Sequence, residues 1–189
     1  MLFCVTSWGQ DPFFIKKNKE ALERFVKTNP KLKKKLKEAY AYAIIARVVH
    51  KPTVGFGGSM GKGIVLVDGA VVGTCYLDQI NHSVTLGGEV YSELILFEDE
   101  NSYQELIAEE MVISEYLHAH NLSPETEVSE IPYKEGLIVF TKGWGELAYL
   151  PDIDNQGFKY KSVEEENREA NEKYLQSIIP PPPTIESID

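Results

Sequence analysis

The sequence predicts an α+β fold: a curved antiparallel β-sheet that could close toward a barrel, covered by helices, with helical extensions at both ends. Three observations predict it. The hydrophobic period changes from about 3.6 to about 2 after Lys51–Pro52. The stretch Val54–Asp99 then offers short, evenly spaced apolar runs with glycines between them. Helix-start signals recur on either side of that stretch. With 189 residues, 43% of them hydrophobic, the chain can bury one sizeable core. The expected organisation is a basic N-terminal extension over 1–29, a central domain over 30–161, and an acidic helix with a proline-rich tail over 162–189.

Asn18–Thr28 reads as a short helix with Ala21, Leu22, Phe25 and Val26 on one side. Asn29–Pro30 restarts the chain, because Asn is a favoured N-cap and Pro suits the first helical position. From Pro30 to Arg47, Leu32, Leu36, Ala39, Tyr40 and Ala43 recur at helical spacing, which predicts a covering helix over 30–47. Strands are expected at Val54–Gly58, Gly63–Val67, Val71–Tyr76, Ser83–Gly87 and Tyr91–Phe97. Gly-Ser-Met-Gly, Asp68–Gly69, Gln79–His82 and Gly87–Gly88 would supply the turns, with Asp-Gly the strongest hairpin signal. Asn101 and Gln104 mark the cap of a second covering helix, 101–119, ending near Asn121. Gly136–Thr141 and Glu146–Leu150 read as a hairpin around Lys142–Gly145, and Phe158–Tyr160 as a last strand. Ser162 with Glu165 is a capping box opening an acidic helix to Ser177, which Pro180–Pro183 stops as a polyproline tail.

Charge is strongly segregated. Residues 1–51 hold 12 Lys/Arg and 4 Asp/Glu, whereas 52–189 hold 7 and 25. A basic arm on an acidic body attracts a polyanionic surface, and the body would repel a long duplex lying across it, so no nucleic acid partner is expected. Lys31, Lys33, Lys34, Lys35 and Lys37 crowd the start of one helix, where cations oppose the macrodipole; this points to an anionic partner. No apolar run approaches the roughly 20 residues of a membrane span. Met1–Asp11 is short and polar for a signal peptide, and Leu2 stands where myristoylation needs Gly. The expected location is therefore cytoplasmic, peripheral at a membrane surface. Cys4 and Cys75 are expected as reduced thiols.

Catalytic and ligand motifs fail on inspection. In Gly55–Gly63 a Walker A loop would need Gly where Phe56 stands and Ser/Thr where Gly63 stands. Gly57, Gly58, Gly61 and Gly63, with Gly87 and Gly88, instead read as structural glycines that permit positive φ, a bulge or close strand approach. Asp152–Gly157 opens like a calcium loop, but its twelfth position is Val163 rather than Glu, so a hairpin turn is expected. His118 and His120 would diverge on a helix, and His50 and His82 are isolated, so no metal site is expected. Ser59, Ser83 and Ser92 lack an elbow sequence and no base can be paired with them. The chain is read as a non-enzyme without a cofactor.

Against that background, Ala39–Tyr160 resembles the SYLF family of lipid-binding domains, in its bacterial-type branch. The features are the Ala/Tyr-rich Ala39–Ile44, the GG-x-x-GKG segment Gly57–Gly63 and the strand Gly87–Phe97 with its Gly-Gly-Glu-Val-Tyr-Ser-Glu-Leu-Ile-Leu-Phe order. Glu135–Thr141, Gly143–Tyr149 and Gly157–Tyr160 are similar to the family's closing strands. Ala46–Arg47 replaces an aromatic-proline pair, and Gly73–Tyr76 replaces a Gly-Trp-rich segment, so actin association is not implied. The resemblance implies reversible binding to anionic or phosphoinositide-type lipid through a basic amphipathic N-terminal helix, with the five lysines named above in contact. The alternative is a protein-interaction adaptor that docks a partner through the proline-rich or acidic C-terminus.

Overall fold

Asp11 opens the first helix, α1 (Pro12–Thr28): its carboxylate accepts the Phe13 amide (2.9 Å), and Pro12 occupies the first turn, where no intrahelical donor is needed. The computed structural model describes residues 11–53, 56–81, 89–108, 111–114, 117–144, 153 and 155–178. Asn29 then turns the chain. Its Oδ1 accepts the Lys31 amide (3.1 Å), and its Nδ2 donates to the carbonyls of Ser123 (3.0 Å) and Thr126 (2.8 Å). The helix that follows, α2 (Leu32–Glu38), is short.

The expected helix over 30–47 is corrected here: beyond Glu38 the chain is strand β1 (Ala41–Thr53). β1 lies in the middle of the sheet and is buried on both faces, so it shows no alternation. Its Ile44, Ile45, Val48 and Val49 suit a strand, and the helical spacing of Ala39, Tyr40 and Ala43 was incidental. β2 (Phe56–Val67) is one strand rather than two, so Gly-Ser-Met-Gly lies inside it and is not a turn. Asp68 (φ 49°) and Gly69 (φ 77°) form the expected tight turn into β3 (Ala70–Asn81), which takes in Gln79 as strand. β4 is Glu89–Phe97; the expected strand Ser83–Gly87 and the glycines Gly87 and Gly88 lie outside the described residues.

The second covering helix is also shorter than expected. α3 (Glu100–Ile107) is capped by Asp99, whose carboxylate accepts the Ser102 amide while Ser102 Oγ receives the Asp99 amide. Asn101 is therefore not the cap. Met111 and Leu117, read as helical, are buried beside Leu106 in non-helical chain, which is why their spacing misled. Met111–Val112 forms β5 and His120–Asn121 forms β6. β7 (Leu137–Gly143) takes in Lys142, expected in a turn; Glu146–Leu150 lies outside the described residues. β8 (Gly157–Ser162) leads into α4 (Val163–Ile178) through the expected capping box, with Ser162 N to Glu165 Oε2 at 2.8 Å and Glu165 N to Ser162 Oγ at 3.2 Å.

The strands form one curled, half-barrel sheet in the order β5-β8-β3-β2-β1-β4-β7-β6, flanked by helices. All pairs are antiparallel except the short β6–β7 pair. Gln156, just before β8, reaches Tyr91 and Glu93 on β4 although β3, β2 and β1 lie between, so that face is concave. It holds one core cluster, including Ala43, Ile45, Cys75, Ile95 and Phe158, closed by Leu106 of α3. The convex face holds the other, in which Ala21 and Phe25 of α1 and Leu32 of α2 cover Ile44, Leu94 and Phe140. Each fully buried Phe or Leu contributes about 1.5–3 kcal/mol.

β1 carries a bulge. Ile44 faces Ile64 and Val48 faces Gly61 on β2, while Ile45 faces Glu93 and Val48 faces Tyr91 on β4, so β1 has one more residue than either neighbour there. None of Gly57, Gly58, Gly61 and Gly63 has a positive φ, so backbone conformation does not require them; Gly61 and Gly63 answer to crowding by the bulged β1 and Gly58 to the close approach of β3. A Cβ on Gly61 would lie 2.8 Å from Ile45 Cγ2, one on Gly58 2.9 Å from the Gln79 carbonyl, and one on Gly63 would overlap the Ile44 carbonyl. Gly63→Ala is therefore expected to cost roughly 1–3 kcal/mol, read as a lowered urea midpoint. Gly69→Ala, where a Cβ meets nothing within 4 Å, should cost only the roughly 1–2 kcal/mol of its left-handed backbone. An unchanged midpoint for Gly63→Ala would show that β1 and β2 can separate freely at the bulge.

Candidate functional site

The five lysines expected at the contact all lie on or beside α2, but they are not equivalent. Lys31 Nζ pairs with Glu127 (2.7 Å), Lys34 with Glu38 (3.7 Å), and Lys35 donates to the Ile131 carbonyl (2.9 Å) above the Tyr133 ring. Among the described residues, Lys33 and Lys37 have no such partner. Lys31 and Lys35 thus tie α2 to the chain around η1 (Val128–Glu130), whereas Lys33 and Lys37 make no such tie among the described residues.

A second set of polar groups lies inside the half-barrel. His50 Nδ1 and Ser59 Oγ are 3.1 Å apart across the β1–β2 ladder. Sequence reasoning missed this pairing because it depends on strand register; both residues are buried, so the pair does not face solvent. Gln156 Nε2 lies 3.1 Å from Tyr91 Oη and 3.4 Å from Glu93 Oε2. Burial pushes the Glu93 carboxyl up to about 8, against the opposing pull of hydrogen bonds from Gln156 and Tyr91. Burial, with Glu93 nearby, pushes the Cys75 thiol up to about 12, which keeps it a packed, unreactive thiol. Among the described residues, the buried atoms His50 Nε2, Glu93 Oε1, Thr141 Oγ1 and Gln156 Oε1 have no hydrogen-bond partner. His120 lies on β6 beside the Phe140 ring, not on a helix. Among the described residues no three of His, Cys, Asp and Glu gather as metal ligands.

The third feature is a groove of about 740 Å³ on the convex side, where the start of α1 meets the bulge and the end of β7. Phe13, Lys17 and Arg24 line it from α1; their spacing of four and seven puts them on one helix face. Arg47 contributes from the bulge and Lys142 and Trp144 from the end of β7. Lys17 lies 3.6 Å from Glu20 and 5.1 Å from the Phe13 ring. Among the described residues, no carboxylate pairs with Arg24, Arg47 or Lys142. Phe13 is 64% and Trp144 59% exposed.

The groove's floor is a closed chain of hydrogen bonds. Trp144 Nε1 donates to Ser92 Oγ (3.0 Å), which donates to the Ala46 carbonyl (2.7 Å), and the Ala46 amide donates to Asn18 Oδ1 (2.8 Å). The floor's polar groups are thus used internally, and the walls offer mainly cations. Ser92, which fits no nucleophile motif, secures the bulge. No sequence motif could reveal this groove, because its parts come from residues 13–24, 46–47 and 142–144. Comparison with protein-family models and with curated proteins finds no match to the chain.

The buried carboxyl generates a pH prediction. Glu93 is raised from 4.5 to about 8, so its proton is held more tightly in the folded than in the unfolded chain. Stability from this group is fully present below pH 4.5. It falls by up to about 1.4 kcal/mol per pH unit through the window up to about 8, and levels off above. Glu93→Gln should flatten that slope in urea unfolding measured across the window. A slope identical in the variant would show that Glu93 is ionised inside the fold.

Proposed function

We propose that the protein is a non-enzymatic module that associates reversibly with anionic or phosphoinositide-type membranes through its basic N-terminal helical layer. The observation that supports this most directly is the charge layering. In a chain with 29 Asp/Glu and 19 Lys/Arg, the helices α1 and α2 carry nine Lys/Arg against three Asp/Glu on one side of the sheet, and Arg24, Lys33 and Lys37 have no ion-pair partner among the described residues. Near an anionic bilayer each such cation is worth on the order of 1 kcal/mol. The likeness of Ala39–Tyr160 to SYLF domains points the same way. The apolar side of α1 is already occupied, with Ala21 and Phe25 fully buried, so the contact uses the helices' outer, cationic surface. No helix among the described residues is long and apolar enough to cross a membrane.

One observation favours a second reading, a protein-interaction adaptor. The last turns of α4 are exposed, with Tyr174 and Leu175 bare to solvent, as a docking helix would be.

Co-sedimentation with vesicles separates the two. Binding to anionic vesicles should fall steeply between low and physiological salt, as the Debye length shrinks to about 8 Å, and should be absent on neutral vesicles. Lys33→Gln with Lys37→Gln should weaken binding at a stability cost under about 0.5 kcal/mol. Binding indifferent to salt and lipid charge would overturn the membrane reading.

A further inference from the structure

We infer that the groove between α1, the β1 bulge and the end of β7 is the seat of a phosphate-bearing lipid headgroup, with Trp144 and Phe13 entering the bilayer interface beside it. This rests on the membrane reading and moves its centre from α2 to the bulge. Four cations, Lys17, Arg24, Arg47 and Lys142, line one groove of about 740 Å³, a size that admits a headgroup. Lys17 is shared with Glu20 (3.6 Å), but Arg24, Arg47 and Lys142 have no carboxylate partner among the described residues, so they repel one another and a bound anion relieves that repulsion. Arg24 and Arg47 supply guanidinium forks suited to phosphate oxygens, and Lys17 and Lys142 supply point charges. The floor's hydrogen bonds are closed on one another, so the groove presents donors and excludes cations.

The rim argues for a lipid rather than a soluble phosphate. Trp144 has its indole N–H tethered to Ser92 Oγ (3.0 Å), while its ring stands 59% exposed, and Phe13 is 64% exposed across the groove. An aromatic with its polar edge anchored and its apolar surface bare is arranged as interfacial aromatics are. Exposed apolar rings flanked by cations match a surface that is apolar below and anionic above.

The test uses the full chain with Trp8→Phe, so that fluorescence reports Trp144, and vesicles of phosphatidylcholine with or without phosphatidylserine or phosphatidic acid. Anionic vesicles should blue-shift Trp144. Arg47→Gln with Lys142→Gln should reduce the vesicle-bound fraction at least about tenfold, more than Lys33→Gln with Lys37→Gln does. An unchanged urea midpoint would confirm that the groove variant is folded. If the parent binds anionic vesicles and the folded groove variant binds within twofold of it, the groove assignment is overturned and the membrane reading stands. If the parent ignores anionic vesicles, both are overturned. If glycerol phosphate in solution shifts Trp144 as far as vesicles do, the occupant is a soluble phosphate and the lipid assignment fails.

Discussion

The structure depends on the extra residue in β1. A bulge in a central strand leaves backbone groups without ladder partners on both sides, at a position where water cannot reach them cheaply. Here the Ala46 amide is taken by Asn18 from α1 and the Ala46 carbonyl by Ser92 from β4. Two side chains far apart in sequence are thereby obliged to converge, and each brings its element with it. Asn18 fixes where α1 lies on the convex face; Ser92 fixes the Trp144 indole at the end of β7. Gly61 and Gly63 of β2 are the other half of the same constraint, because the bulged strand presses on them.

The two faces of the sheet divide the work. The convex face is closed by α1 and α2, whose outward surfaces carry the positive charge. The concave face is closed by α3 and by non-helical chain, and encloses Glu93, Gln156, Tyr91 and the His50–Ser59 pair. A second knot joins the layers at the opposite flank. Lys62 on β2 pairs with the buried Glu166 of α4 (2.9 Å), lies over the Phe14 ring of α1 (5.0 Å), and shares Glu166 with Thr74. Glu166 is buried while Lys62 is partly exposed, so removing the lysine leaves a buried carboxylate without its counter-charge, and α1 and α4 are coupled through one lysine.

Legibility in the sequence followed the range of the interactions. The Asp68–Gly69 turn, the Ser162–Glu165 capping box and the strand ending at Phe97 were all readable, because each is decided by residues within a few positions. β1 was misread as helix because burial on both faces erases the alternation that identifies a strand. Met111 and Leu117 were placed on a helix because a core residue in irregular chain looks the same as one on a helical stripe. The groove and the Glu93 cluster were invisible, since strand register and a bulge assemble them from distant segments. The lysines of α2 were easy to find, yet only their neighbours Glu127 and Ile131 reveal which of them are already engaged.

The outermost strands have a consequence of their own. β5 and β6 are two residues each, and they cover only the Phe158 end of β8 and the middle of β7. Among the described residues, the part of β8 beyond its pairing with β5 is Lys159–Ser162, where lysines alternate with polar neighbours. Such an edge is a poor template, because an incoming chain would have to align against charged side chains with little backbone to pair with. This edge of β8 is thus ill suited to recruiting a partner by strand addition.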